Sequence, residues 1–285
     1  MNNILVTGSN GQLALEIKNI SKAYIDFKFL FCNRKELDIT NIKTLEVLIL
    51  NNKINTIINC AAYTDVDKAE DNLEKAEEIN YQGVEVLAKV SKNNNIKLIH
   101  VSTDYVFNGE KTKPYTEDDI TNPLGVYGRT KRKGELILQK INPPNCIIIR
   151  TSWLYSVMKK NFVTTMLELG RKEKNISVVY DQIGTPTNAK DLAKIILQIL
   201  PEIKNEEVAI FNYSNEGFCS WFDFAQAIFD IERINCNVKP ILSSEYQTKV
   251  KRPKYSVLDK SKIKKTYGVS IPYWRDSLKE YLNKI

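Results

Sequence analysis

The strongest restriction on the fold is an alternation that runs through the first 150 residues. Short apolar runs at Asn3–Thr7, Phe27–Cys32, Thr56–Cys60, Lys97–Ser102 and Cys146–Arg150 are separated by longer stretches. Those stretches, Gln12–Ser21, Ile42–Asn51, Leu73–Ser91 and Val126–Ile141, repeat their apolar residues at helical spacing. Runs that are apolar throughout, without a polar alternate face, suit strands covered on both sides, and strand–helix alternation builds a parallel sheet between two helical layers. Short connections with right-handed crossovers make this an α/β, doubly wound parallel sheet.

After Arg150 the pattern loosens. Helices are expected at Asn161–Leu169, at Ala189–Leu200, from Ser220 (as N-cap) to Ile231, and at Asp276–Leu282, with a Gly/Pro/Thr loop at Asp181–Thr187 and a strand at Val208–Tyr213. A chain of 285 residues suits two lobes. Residues 1–150 are expected to form a nucleotide-binding Rossmann domain. Residues 151–285 are expected to form mainly a smaller α/β substrate lobe that returns one or two elements to the sheet.

Several classes fall away on composition. No apolar run reaches the ~18 residues of a membrane span, and the strand pattern beginning at Asn3 leaves no room for a signal peptide, so a cytoplasmic protein is expected. The five cysteines (Cys32, Cys60, Cys146, Cys219, Cys236) never stand in C-x-x-C spacing, which argues against a disulfide framework or a zinc site. The one histidine, His100, lies inside an apolar run and reads as a strand residue, so Ser-His-Asp hydrolysis is a poor prospect. A net charge of +7 suits anionic small molecules; the basic residues are dispersed and no nucleic-acid module is visible, so neither nucleic acid nor membrane is an expected partner.

The turn Thr7-Gly8-Ser9-Asn10-Gly11-Gln12-Leu13-Ala14 joins the first strand to the first helix. There, Gly8 permits the tight turn and Gly11 a close backbone approach to a pyrophosphate, which the free N–H groups of the helix N-terminus then hold. Past the second strand stand Arg34 and Lys35 with no preceding acid. That pair favours the 2′-phosphate of NADPH and leaves NADH open. Asp38 either touches the adenine or caps the following helix.

Tyr127 and Lys131 are four apart on an expected helix and share a face. A neighbouring ammonium stabilises a phenolate, so Lys131 is expected to lower the Tyr127 pKa and make it a proton donor beside a nicotinamide. The fourth strand ends in Ser102-Thr103-Asp104-Tyr105-Val106-Phe107, at the sheet edge where ligands of such folds bind, with Thr103 placed to hydrogen-bond a substrate carbonyl.

Together, the runs Thr7–Ala14, Asn59–Glu70, Ser102–Phe107, Tyr127–Lys131, Arg150-Thr151-Ser152-Trp153 and Asp181–Thr187 resemble, in order and over most of the chain, the dTDP-4-dehydrorhamnose reductases, extended short-chain dehydrogenases. The resemblance implies reduction of a dTDP-linked 4-keto-6-deoxy sugar by NADPH, with Thr103, Tyr127 and Lys131 catalytic. It implies cofactor contacts from Gly8, Gln12, Leu13, Asp38, Ala61, Ala62 and Tyr63; Asn10, Gly11, Arg34 and Ile39 complete that expected set. It further implies sugar contacts from Thr64, Asp104, Tyr105 and Trp153, and places Arg252 near the nucleotide end. Trp153 alternatively reads as a core aromatic, and Arg252 as a solvated turn. Some members of that family bridge a dimer through magnesium held by acids. Glu16 matches one such position, but Lys190 stands where a second acid is expected, so no metal site is assigned, and a homodimer stays open. Tyr105 replaces the glutamate of the related dehydratases. A different 4-epimer as product, a sugar-nucleotide epimerase and a non-catalytic subunit of the same fold remain as alternatives.

Overall fold

A computed structural model of the chain describes residues 2–284. Its first half runs β1 (Asn2–Thr7), α1 (Gln12–Ile20), β2 (Phe27–Cys32), α2 (Ile42–Asn52), β3 (Thr56–Asn59), α3 (Val66–Asp71), α4 (Leu73–Glu77), α5 (Gly83–Asn93), β4 (Lys97–Thr103), α6 (Val126–Ile141) and β5 (Cys146–Thr151). The second half continues with α7 (Phe162–Lys172), β6 (Asn175–Val179), α8 (Ala189–Ile199), β7 (Ala209–Asn212), α9 (Trp221–Glu232), β8 (Asn237–Ile241), α10 (Ser261–Tyr267) and α11 (Trp274–Leu282).

Strands β1 to β5 and β7 form one sheet in the order β2-β1-β3-β4-β5-β7, every pair parallel. The chain steps outward from β1 to β2 and then returns to lay β3 on the other side of β1. The order therefore reverses between β1 and β3, which opens a crevice at their carboxyl ends. Neighbouring residues of a strand point to opposite faces, and both faces are apolar. Ile4, Val6 and Ile58 pack with Leu13 and Ile17 of α1, whereas Leu5, Ile57 and Leu98 pack with Leu45 of α2, Leu87 of α5 and Leu138 of α6.

The second half contributes to the same sheet. Strand β7 pairs with β5, and α8 buries Leu192, Ala193 and Ile196 in the core that α1 occupies. A separate core gathers Val163, Phe224, Ile228, Trp274 and Leu278 from α7, α9 and α11. It covers the parallel pair β6–β8, which the sequence did not announce because each strand has five residues and buries only two, Val178 and Val179 in one and Val238 and Ile241 in the other. Helices α3 and α10 were also unannounced; they have six and seven residues, too short to display a helical period. Ser220 caps α9 as expected, closing a capping box with Asp223. The expected helix Leu73–Ser91 is interrupted by a π-helical turn, Glu78–Gln82. The five cysteines are free, and among the described residues no helix is long and apolar enough to cross a membrane.

One buried ion pair clamps α6 to the sheet. Arg150, at the carboxyl end of β5, donates from Nε and Nη2 to the two carboxylate oxygens of Glu135 at 2.9 and 2.8 Å, and from Nη1 to the Glu117 carbonyl. Burial works to raise the Glu135 carboxyl, yet the Arg150 hydrogen bonds and charge hold it below its ordinary value. Both side chains are almost fully enclosed, and although Glu135 also accepts from Arg132 Nη1 at 2.9 Å, removing Arg150 takes away its bidentate partner. Arg150→Met should lower the unfolding free energy by about 3–5 kcal/mol in urea titrations. A loss under ~1 kcal/mol would show that Glu135 finds water or another partner.

Candidate active site

The crevice between β1 and β3 is shaped by backbone contact. Gly8 holds φ +63°, and a Cβ there would lie 2.7 Å from the Ala61 backbone, so the turns after β1 and β3 touch. Ser9 N–H donates to the Cys32 carbonyl at the end of β2, and Gly11 N–H to the Gly8 carbonyl. Gly11 is the N-cap of α1 and supplies no side-chain cap, and the first turn of α1 carries no acid, so its N–H groups and partial positive charge face the crevice unopposed. Leu13 and Ala14 are buried behind it, and Asn10 is exposed at the turn. Gln12 turns instead toward the second half, where its amide meets the Leu154 carbonyl and Asn161.

On the other wall, the loop Ala61-Ala62-Tyr63 is pinned by Asn80. The Asn80 amide accepts from Tyr63 N–H at 2.8 Å, donates to the Tyr63 carbonyl, and donates to the Thr130 hydroxyl on α6. Sequence reasoning did not single out Asn80. A buried Asn in the middle of a helical pattern was the available signal, since it must find partners, and the π-helical turn that holds it is a common device at functional sites.

Beyond β2, Arg34 and Lys35 are exposed, with Arg34 3.8 Å from Glu78. Asp38 is occupied locally: it accepts from the Thr40 N–H and hydroxyl, which, with the nearby Arg34 and Lys75, hold its carboxyl below the usual range. It does not cap the next helix, because Asn41 does so by accepting from Thr44 N–H. Ile39 is buried against Gly83.

Thr103, Tyr127 and Lys131 converge at the carboxyl end of β4. Helix α6 can lie this close only because Gly128 has no side chain; a Cβ there would meet the Tyr105 carbonyl oxygen at 2.2 Å. The Thr103 hydroxyl donates to the Asp104 carboxylate at 3.1 Å, accepts from Tyr105 N–H, and is hydrogen-bonded to Tyr127. The rings of Tyr105 and Tyr127 meet edge to face at 5.6 Å. Burial pushes Tyr127 up to about 12, against the Thr103 hydrogen bond and with help from the Asp104 charge. The depression by Lys131 expected from the sequence is not seen at Tyr127, where burial prevails. The Lys131 side chain points inward instead: Nζ donates to the Val101 carbonyl at 2.7 Å and lies 3.3 Å from His100 Nε2. Burial pulls Lys131 down to about 8, opposed by Glu135 and Cys60.

Around this centre, Asp104 is 2% exposed, and burial raises it to about 6 against hydrogen bonds from Ser256, Thr103 and neighbouring backbone. Burial also raises Tyr105, while Arg252 works the other way. Arg252 donates to Asp67 at 3.2 Å. With Lys111 and Tyr255 it lines a cleft of 460 Å³, and with Lys251 and Lys254 an adjoining one of 400 Å³. Thr64 is exposed in the loop before α3. Trp153 adopts φ +47°, stacks on Trp221 with centroids 3.6 Å apart, and abuts Gly184. Trp221, 68 positions away and at the start of α9, carried no sequence signal that it would pair with Trp153. Glu16 accepts from the Ser156 hydroxyl and Lys190 pairs with Glu280; among the described residues no cluster of His, Cys, Asp or Glu is placed to hold a metal.

The RmlD substrate binding domain family model matches residues 1–285. A dTDP-4-dehydrorhamnose reductase of Aggregatibacter actinomycetemcomitans is 40% identical, covering 98% of each chain. Among solved structures, a dTDP-4-dehydrorhamnose reductase of Clostridium acetobutylicum superposes with TM-score 0.94 at 40% identity over 99% of both chains. One of Bacillus anthracis, in complex with NADP, gives 0.94 at 34% over the full length of both.

The raised Asp104 carboxyl has a measurable consequence. Its folded value lies above the unfolded one of ~3.9, so the stability linked to its proton is present below about pH 4 and is lost as pH rises through about 6. Asp104→Asn should therefore gain about 2–3 kcal/mol over the parent at pH 7.5 relative to pH 4. Equal pH dependence in the two proteins would mean that Asp104 ionises as an ordinary surface acid.

Proposed function

The chain belongs to the RmlD substrate-binding-domain family, and from that premise we infer that it is an oxidoreductase. It reduces the C4 ketone of dTDP-4-dehydro-L-rhamnose to give dTDP-L-rhamnose, with NADPH as cofactor. The observation that carries this reading is the meeting of Thr103, Tyr127 and Lys131 at the carboxyl end of β4, next to the crevice that the Gly8–Ala61 contact forms. The crevice suits a dinucleotide diphosphate, because the N-terminus of α1 is free of acids and side-chain caps. We assign Gly8, Asn10, Gly11 and Leu13 to the diphosphate turn, Ala61, Ala62 and Tyr63 to the facing wall, and Arg34 to the 2′-phosphate. Gln12, Asp38 and Ile39 lie along the same cofactor path. When bound, the cofactor supplies the hydride.

The protein's part is to orient the ketone and move one proton. At neutral pH Tyr127 keeps its proton because burial holds it up at about 12, and reduction requires a phenol that still has a proton to give. Tyr127 O–H passes that proton to the C4 oxygen as the carbonyl becomes an alkoxide. Thr103, already bonded to Tyr127, polarises the same oxygen. Lys131, charged below about pH 8, steadies the resulting phenolate and holds the cofactor ribose. We place the sugar among Thr64, Asp104, Tyr105 and Trp153. The diphosphate of the substrate goes to Arg252 in the cationic cleft it shares with Lys251 and Lys254, where a guanidinium matches phosphate oxygens two at a time. On this reading residues 1–150 serve the cofactor and residues 151–285 mainly the substrate. Family membership also brings the expectations of a homodimer and a cytoplasmic place of action.

Oxidation of NADPH on addition of dTDP-4-dehydro-L-rhamnose, with the C4 configuration of the product determined, tests the activity. Tyr127→Phe should lower kcat by about 10²–10⁴-fold while the NADPH Kd stays within about twofold. Turnover undiminished in that variant would remove Tyr127 from the chemistry. Reaction only with a different nucleotide 4-keto sugar would overturn the substrate.

A further inference from the structure

The single histidine belongs to a buried hydrogen-bond chain that ends at Lys131. Asn59 on β3 and His100 on β4 stand opposite each other in register. The Asn59 amide oxygen accepts from the Thr7 hydroxyl at 2.6 Å and from Ala61 N–H at 3.2 Å. Its amide nitrogen lies 2.9 Å from His100 Nδ1, and His100 Nε2 lies 3.3 Å from Lys131 Nζ. Thr7, Asn59, His100 and Lys131 are all nearly or fully buried, so no water rearranges their polarity.

That chain has a direction, set at one end by a group that cannot turn around. A backbone N–H only donates, and of the two acceptors that Ala61 N–H reaches, the Thr7 hydroxyl at 3.4 Å and Asn59 at 3.2 Å, the nearer fixes which Asn59 atom faces it: the oxygen. The Asn59 nitrogen then faces His100 and must donate to Nδ1. A neutral imidazole with Nδ1 accepting carries its one proton on Nε2, and this N–H points at Lys131. A neutral amine can accept it; an ammonium has no lone pair and cannot.

We propose that His100 is a positioning residue that governs the protonation of Lys131: its Nε2–H form and the Lys131 ammonium exclude each other, so Lys131 gains a proton only when the imidazole moves its own to Nδ1 and the Asn59 amide turns over. The turned amide breaks the hydrogen bond to Ala61 N–H, in the wall of the cofactor crevice. The charge state of the catalytic lysine is thereby tied to the backbone of the crevice through two side chains, His100 and Asn59. The titratable groups facing Lys131 are His100 from β4, Cys60 from the loop after β3 and Glu135 from its own helix. Lys131 is the charge that faces His100. Burial and the facing Lys131 charge together hold the histidine well below its ordinary value.

The catalytic meaning rests on the reductase reading, but the tautomer titrates whether or not the protein turns over, so the two can fail separately. Because the sequence holds one histidine, protein labelled with ¹⁵N-histidine gives one pair of ring-nitrogen resonances, and these distinguish the two tautomers from the imidazolium. Across about pH 6 to 10, the ring should be protonated on Nε2 at the alkaline end and shift to Nδ1 near the point where Lys131 becomes charged. Lys131→Met should hold the Nε2–H form throughout. Asn59→Asp, whose carboxylate accepts from Ala61 N–H and from Nδ1–H alike, should hold the Nδ1–H form throughout and leave Nε2 to accept from the ammonium. A tautomer that does not change with pH in the parent protein, a change that survives Lys131→Met, or an imidazolium near neutrality would each overturn the proposal.

Discussion

The active centre depends on one steric contact, the approach of the Gly8 turn to the Ala61 backbone across the reversal in strand order. It brings the end of β1 and the end of β3 together with no side chain between them, and leaves the N-terminus of α1 facing an open crevice. The neighbouring loops are then tied to that contact: Ala61 N–H to Asn59, the Tyr63 backbone to Asn80, and Asn80 to α6 through Thr130. Helix α6 is clamped a second time from below by the Arg150–Glu135 pair. The Gly8 turn is therefore linked to the helix that carries Tyr127 and Lys131 through the Ala61–Tyr63 loop, Asn80 and Thr130.

Burial, rather than the attraction between neighbouring charges, sets the acid–base character of the centre. Tyr127, Asp104 and Lys131 all move toward their neutral forms, to about 12, 6 and 8 respectively. Tyr127 and Lys131 were expected to polarise each other because they are one helical turn apart. In the folded chain the Lys131 side chain is drawn inward to the Val101 carbonyl and His100, and the phenol is drawn toward Thr103. The result is a phenol that keeps its proton at neutral pH, beside a lysine whose proton affinity burial has lowered.

Much of the framework was legible because its signals are local. The apolar runs marked β1 to β5 to within one or two residues, since a strand covered on both faces has few residue types to choose from. Val126–Ile141 was delimited without error by its helical spacing. The turn at Gly8 and the spacing of Tyr127 and Lys131 were legible for the same reason: each function resides within a few consecutive residues. The strands β6 and β8 were not, because each buries only two residues in no strand-like period, which means little until α9 lies over them. Trp153 was read as sugar wall or core aromatic, and its stack on Trp221 became visible only with α9 in place.

Chain order alone gave a doubly wound sheet, a glycine turn between the first strand and the first helix, and a tyrosine and lysine on one helical face, since those follow from periodicity and spacing. Folding in three dimensions settled the partners and the protons. Arg252 meets Asp67 across 185 positions, Glu135 meets Arg150 across 15, and His100 meets Lys131 across 31. A linear pattern records which groups are present. Whether a group is charged depends on how much water reaches it and on which dipoles face it, and both are properties of the packed molecule.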